Sequence, residues 1–209
     1  RLAAAVEDAG FWIRDSFIWL YLQNQPKAMG LDHFIERLPV SEAVKQQLKA
    51  KLRGWKTPQV KSCYEPIVVA QKPYEGTLLE NMLKHQVGLF NTEVRIGSNM
   101  YPANVLIVDS FGEMLDRYFL VPKPDVQEKG AYNTHPSVKP VALCEHLIRL
   151  STLPQAIVLD PFIGSGTTAI AARSTGRHFI GVDINPEYIA IAQRRLSEWS
   201  PSLFQEDAP

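Results

Sequence analysis

Val158-Leu-Asp-Pro-Phe-Ile-Gly-Ser-Gly-Thr-Thr-Ala169 sets an apolar run, an acid and a proline ahead of a glycine pair and a helix-forming run. The surrounding pattern alternates. AIVLD (156–160) reads as a strand and GTTAIAARSTG (166–176) as a helix closed by Gly176. RHFIGVD (177–183) reads as a second strand. NPEYIAIAQRRLSEW (185–199) reads as a helix with Asn185 as N-cap and Pro186 at the first position. Ile189, Ala192 and Leu196 form its expected core stripe. A β-α-β-α run of this kind predicts an α/β fold with a parallel sheet.

A glycine loop between strand and helix lets a ligand approach the backbone and aims N–H groups and the positive helix end at an anion. GSGTTA (164–169) matches the dinucleotide fingerprint with alanine in the third place. Asp183 follows Gly164 by 19 positions, close to the roughly 20 expected of a ribose-binding acid. Two adenosine ligands compete, a nicotinamide dinucleotide and S-adenosylmethionine. After Asp183 only 26 residues follow, one helix and a tail, which leaves no second mononucleotide half. S-Adenosylmethionine needs one half only. A plain tight turn explains GSGTTA taken alone, but not its conjunction with the flanking DPF and VDINPEY.

Earlier in the chain, LAAAVEDA (2–9) predicts a helix stopped at Gly10. FWIRDSFIWLY (11–21) and YEPIVVAQKP (64–73) predict strands. GLDHFIERL (30–38) has helical spacing, as does SEAVKQQLKAKL (41–52), with Ser41 as N-cap. Residues 74–134 break into short apolar runs among glycine, asparagine and proline, and an irregular lobe is expected. VKPVALCEHLIRLST (138–152) predicts a helix with Pro140 in its first turn. Hydrophobic content of 45% fits a folded core, and no stretch reaches the roughly 18 apolar residues of a membrane span. Cys63 and Cys144 share no short motif, so neither metal nor disulfide is implied and a reduced compartment is expected. The first residue is Arg and no leader pattern follows it, which suggests a start inside a longer reading frame.

HPSVKP (135–140), LDPFIGSGTT (159–168) and GVDINPEYIAIAQRRL (181–196) closely resemble the β-class amino-DNA methyltransferases of bacteria and phages. AGFWIRDSFIWLY, YEPIVVAQKP, ENMLKH, YPANVL and RYFLVPKP extend the resemblance over nearly the whole chain. The resemblance implies a Rossmann-like S-adenosylmethionine-dependent fold that is permuted, incomplete at the N-terminus and interrupted by the lobe. It divides the chain into the end of a catalytic subdomain (1–73), a target-recognition lobe (74–134), a cofactor-binding subdomain (135–199) and a tail (200–209). By resemblance, Asp160, Pro161, Phe162, Gly164, Ser165, Gly166 and Thr167 line the methionine end of the cofactor. Asp183 takes the ribose, Ile184 and Asn185 flank the adenosine, and His135, Pro136, Ser137 and Lys139 reach the pocket from beside the helix at 138–152. The residues alone support only the glycine loop and Asp183.

Members of this class methylate an exocyclic base amine with an Asp-Pro-Pro-Tyr type motif or its Asn or Ser variant. That motif is absent from these 209 residues, so no catalytic residue is assigned. The family order places it upstream, along with three strands. The segments 11–21/64–71 and 156–160/177–183 are therefore expected to lack the central strands between them. The expected activity is site-specific DNA methylation, at adenine N6 ahead of cytosine N4, with this chain inactive alone. An inactive DNA- or cofactor-binding remnant is the second reading. Net charge is zero, but Lys45, Lys49, Lys51, Arg53, Lys56 and Lys61 fall within Val44–Tyr64, which has no acid and includes Trp55. Such an excess suits double-stranded DNA phosphates, although a solvated helix face explains it equally well. The resemblance also implies a bacterial or phage-infected cytoplasm, and leaves a dimer and a cognate restriction endonuclease open.

Overall fold

A computed structural model of the protein describes residues 1–21, 27–60, 62–95, 101–107, 119–120 and 123–199, the side chains of 107 and 119–120 excepted. The chain divides into two compact units, residues 22–64 and the remainder. In the larger unit α1 (Leu2–Asp8) leads into β1 (Trp12–Leu20). Phe17 and Trp19 alternate inward on β1, and Tyr21 continues the buried face. β2 (Tyr64–Gln71), β1, β3 (Val105–Ile107) and β4 (Phe119–Leu120) form a four-stranded sheet in the order β2-β1-β3-β4.

This sheet corrects one expectation. The 74–134 lobe is not wholly irregular, since it contributes β3 and β4, both parallel to their neighbours. β3 takes the edge of β1 opposite β2: Ile18 lies opposite Val105 and Trp19 opposite Leu106. The lobe also carries α4 (Leu78–His85), with Thr77 and Glu80 forming a capping box, and α5 (Val126–Lys129), capped by Asp125.

α6 (Val141–Ser151) is buried on two faces. Leu143, Leu147 and Leu150, at i, i+4 and i+7, pack with Phe17, Trp19, Tyr21 and Leu106 of the four-stranded sheet. Val141, Cys144 and Ile148 pack with Val158, Ala171 and Ala172. Pro140 is the N-cap of α6, with φ −65° and ψ 139°, one position ahead of the expected first turn. Beyond α6 the expected alternation is present: β5 (Ile157–Asp160), α7 (Thr167–Ser174), β6 (His178–Gly181) and α8 (Pro186–Glu198). β5 and β6 pair in parallel as a separate two-stranded sheet. One face meets α6 and α7 through Val158. On the other, Ile157, Leu159 and Ile180 are exposed, although parallel strands are ordinarily covered on both faces.

His146 lies buried on α6, and burial pushes its pKa down to about 4 from 6.5. The unfolded chain therefore binds a proton first as pH falls. The stability contributed by the neutral imidazole is whole above pH 6.5 and is lost between pH 6.5 and 4. We expect the wild type to lose on the order of 1–3 kcal/mol more than His146→Leu between pH 7 and pH 4.5 in urea unfolding. Identical pH slopes in the two proteins would refute this.

The unit at 22–64 holds α2 (Asp32–Glu36) and α3 (Glu42–Lys51), with Gly30 bridged to Lys56. Ser41 is the N-cap of α3 in extended backbone, but its side chain makes no capping hydrogen bond.

Candidate cofactor-binding site

The glycine loop leaves the C-terminal end of β5, where Asp160 lies opposite Gly181. The Asp160 carboxylate accepts from the Phe162 N–H at 2.9 Å and turns the chain out of the strand. Ile163 N–H donates to the Val182 carbonyl at 2.9 Å, tying the loop to the end of β6. Gly181 lacks a Cβ where one would lie 2.8 Å from Ile163 Cγ1. Gly164 and Gly166 adopt φ +52° and +85°, the left-handed region that favours glycine. α7 then begins at Thr167, presenting first-turn N–H groups that have no carbonyl within the helix to bond.

Asp183 lies two residues beyond β6 and faces this loop. Its Oδ2 accepts from Gly164 N–H at 2.9 Å and its Oδ1 from Asn185 N–H at 2.8 Å. These bonds, Asn185 first, hold its pKa below the ordinary aspartate value and keep it ionised at neutral pH. A carboxylate has about four acceptor sites, so room remains for a further donor beside the Asn185, Gly164 and Ile184 N–H groups. Asn185 caps α8 by accepting from Glu187 N–H at 2.9 Å.

His135 reaches the same place from the end of the lobe. A Cβ on Gly164 would lie 2.9 Å from its Nε2, and its ring meets Tyr188 edge-on at 4.4 Å. Nδ1 accepts from Ser137 N–H at 3.2 Å, so the neutral ring carries its proton on Nε2, toward the loop. Burial lowers its pKa, and the Asp183 carboxylate opposes that shift.

The structure thus brings together Asp160, Gly164, Gly166, Asp183, Asn185 and His135. It treats the other candidates differently. Phe162 and Ile184 are 85% and 100% exposed, and Pro161, Pro136 and Ser137 are also at the surface. Ser165 and Thr167 are buried against Arg195. Lys139 turns to Glu65 at 2.7 Å and lies 5.9 Å over the Trp19 ring. Two residues of the site escape sequence reasoning. Arg195 does so because a cation is assigned to solvent by default, and Tyr188 because a lone aromatic on a helix names no partner. Only their spacing from Ala192 on α8 signals them. Asn185-Pro-Glu-Tyr188 approaches the Asn variant of the Asp-Pro-Pro-Tyr type motif, but its Asn is a helix cap and its Tyr packs on His135.

In the 22–64 unit, Lys45 pairs with Glu42 at 2.8 Å and Glu36 at 3.7 Å, and Lys49 pairs with Glu36. Lys51, Arg53 and Lys56 are exposed, and no ion pair among the described residues takes them. Trp55 beside them is 69% exposed. Lys61 lies outside the described residues. No cluster able to hold a metal ion, and no helix long and apolar enough to cross a membrane, occurs among the described residues.

Parallel strands, a glycine loop and an acid held at the end of the second strand define a Rossmann-like nucleotide-binding half. The family model described as DNA methylase (N6_N4_Mtase) matches residues 1–194, and the chain belongs to this family. It is 32% identical to the type II methyltransferase M.HindIII of Haemophilus influenzae over 198 residues, 94% of the chain and 59% of that protein. It is 52% identical to the DNA adenine methyltransferase YhdJ of Escherichia coli over 65 residues, 31% of the chain and 22% of that protein. Among solved structures, the cytosine-N4-specific PvuII DNA methyltransferase aligns with TM-score 0.52 at 22% identity, covering all of this chain and 56% of the other. The M1.HpyAVI–SAM complex aligns with TM-score 0.51 at 23% identity, covering 93% and 67%. The chain therefore spans well under two thirds of M.HindIII and of the PvuII enzyme. The two structural likenesses support the Rossmann-like methyltransferase fold.

Proposed function

We propose that the chain holds S-adenosylmethionine and double-stranded DNA for methyl transfer to an exocyclic base amine, N6 of adenine. The observation that carries this reading is the Asp183 carboxylate, hydrogen-bonded to Gly164 at the C-terminal ends of β5 and β6. The donor's methionine carboxylate suits the N-terminus of α7, and its ribose hydroxyls suit Asp183. When bound, it would supply an electrophilic methyl group on a sulfonium. The exposed Ile184 offers apolar surface to the adenine, and the exposed Phe162 to the methionine end. The DNA adenine methyltransferase YhdJ favours adenine, whereas the PvuII relative supports cytosine N4 as the second reading. Mass spectrometry of nucleosides from the DNA of cells that express the gene separates N6-methyladenine from N4-methylcytosine.

Asp183→Ala tests the cofactor site. Loss of the ribose acceptor should cost on the order of 1–3 kcal/mol, or roughly ten- to a hundredfold in affinity. Calorimetric titration with S-adenosylhomocysteine reads this directly, and an unchanged affinity would place the ribose elsewhere.

The DNA-facing surface is assigned to Lys51, Arg53 and Lys56, with base contacts in the 74–134 lobe. Lys45 and Lys49 have their charge offset by Glu36 and Glu42 and contribute less. Replacing Lys51, Arg53 and Lys56 with Glu should weaken binding to all sequences alike. It should also flatten the dependence of log K on log salt by about 0.9 for each phosphate no longer neutralised. A preserved slope would move the surface away from this unit.

A further inference from the structure

We propose that Arg195 is a positioning residue that clamps the glycine loop to the C-terminal end of the lobe, so that donor affinity depends on a side chain that need not touch the donor. This rests on the methyl-donor reading of the loop.

Tyr188, Ala192 and Arg195 stand at i, i+4 and i+7 on α8, and all three serve the site. Tyr188 meets His135, Ala192 lies against Gly166, and Arg195 reaches past the loop. Arg195 is 5% exposed. Its Nη1 donates to the Ser165 carbonyl at 2.8 Å and to Thr167 Oγ1 at 3.2 Å. Its Nη2 donates to the Glu128 carbonyl at 3.1 Å. Glu128 in turn accepts from Val141 N–H at 2.6 Å, at the first residue of α6. One planar fork therefore joins the loop, the segment that closes the lobe and, through Glu128, the start of α6. Burying a cation is costly unless its geometry satisfies several acceptors, and only guanidinium presents donors spread widely enough for both carbonyls. Lysine has a single nitrogen and would hold one of them. Glu128 stands close enough to balance the charge without forming an ion pair among the described contacts.

The test compares wild type, Arg195→Ala and Arg195→Lys by S-adenosylhomocysteine calorimetry and by amide hydrogen exchange. The alanine variant should bind about ten- to a hundredfold more weakly. Its exchange should be faster both at 163–168 and at 126–130. The lysine variant should recover protection in one of these stretches only. Wild-type affinity in the alanine variant well below its melting temperature would overturn the proposal, because a merely structural role lowers Tm without changing affinity. If the alanine variant fails to fold, the lysine variant decides: protection in both stretches overturns the clamp. Failure of wild type to bind S-adenosylhomocysteine would refute the donor reading, and the exchange comparison would still judge the clamp.

Discussion

Residues 1–209, expressed on their own, are expected to bind S-adenosylhomocysteine but to transfer no methyl group to DNA. An exocyclic amine is a poor nucleophile because its lone pair is delocalised into the base. Enzymes that act on it flip the base into a pocket and stack it on an aromatic ring, with oxygen acceptors taking its N–H hydrogens as charge develops. The sequence has no Asp-Pro-Pro-Tyr type motif, and its nearest approach, Asn185 to Tyr188, is occupied in capping α8 and packing on His135. Loss of such preorganised acceptors costs about a hundred- to a thousandfold in rate. Tritiated methyl transfer to genomic DNA checks this, with a methyltransferase that carries the motif as the positive control. Comparable turnover by residues 1–209 would mean that the acceptors lie among residues assigned here to cofactor binding.

Gly166→Val should be the most damaging single substitution in the loop. The residue sits at φ +85°, where a Cβ would come 2.8 Å from Ala192 Cβ and 3.0 Å from Ala192 Cα. The left-handed backbone costs about 1–2 kcal/mol for a side chain. Overpacking against α8 adds about 1–3 kcal/mol, and the backbone contact at Ala192 cannot swing aside. The combined loss, roughly 2–5 kcal/mol, is a large part of a domain's stability. Relief by moving α8 would also draw Arg195 away from Ser165. Gly176→Ala is the control, with φ +70° but nothing within 4 Å of the added carbon, so it should show the backbone cost alone. Urea unfolding of both variants separates the terms. Equal losses would mean that contact between α7 and α8 contributes nothing.

Much of the site is legible in the sequence because its signals are local. Gly164 and Gly166 answer to backbone conformations that adjacent residues decide. Asn185 and Pro186 mark the start of a helix through bonds within one turn, and Asp183 follows from the length of one helix and one strand. The alternation of 156–199 is therefore readable from one strand to the next. The expected stripe on α8 holds at Ala192 and is incomplete beyond it, since Ile189 and Leu196 are only half-buried while Arg195 is buried.

What the sequence determined by itself was the glycine-loop half: the order β5-α7-β6-α8, the two glycines and the acid, each set by interactions within a few residues. Only the tertiary structure decided that Val105–Ile107 would take the free edge of β1, since a three-residue strand has no periodicity of its own and exists through its partner. Tertiary structure likewise turned Lys139 toward Glu65 and left Lys45 and Lys49 offset by Glu36. It also buried Arg195, because a buried cation is tolerable only where the carbonyls of Ser165 and Glu128, 37 residues apart in sequence, converge on one side chain.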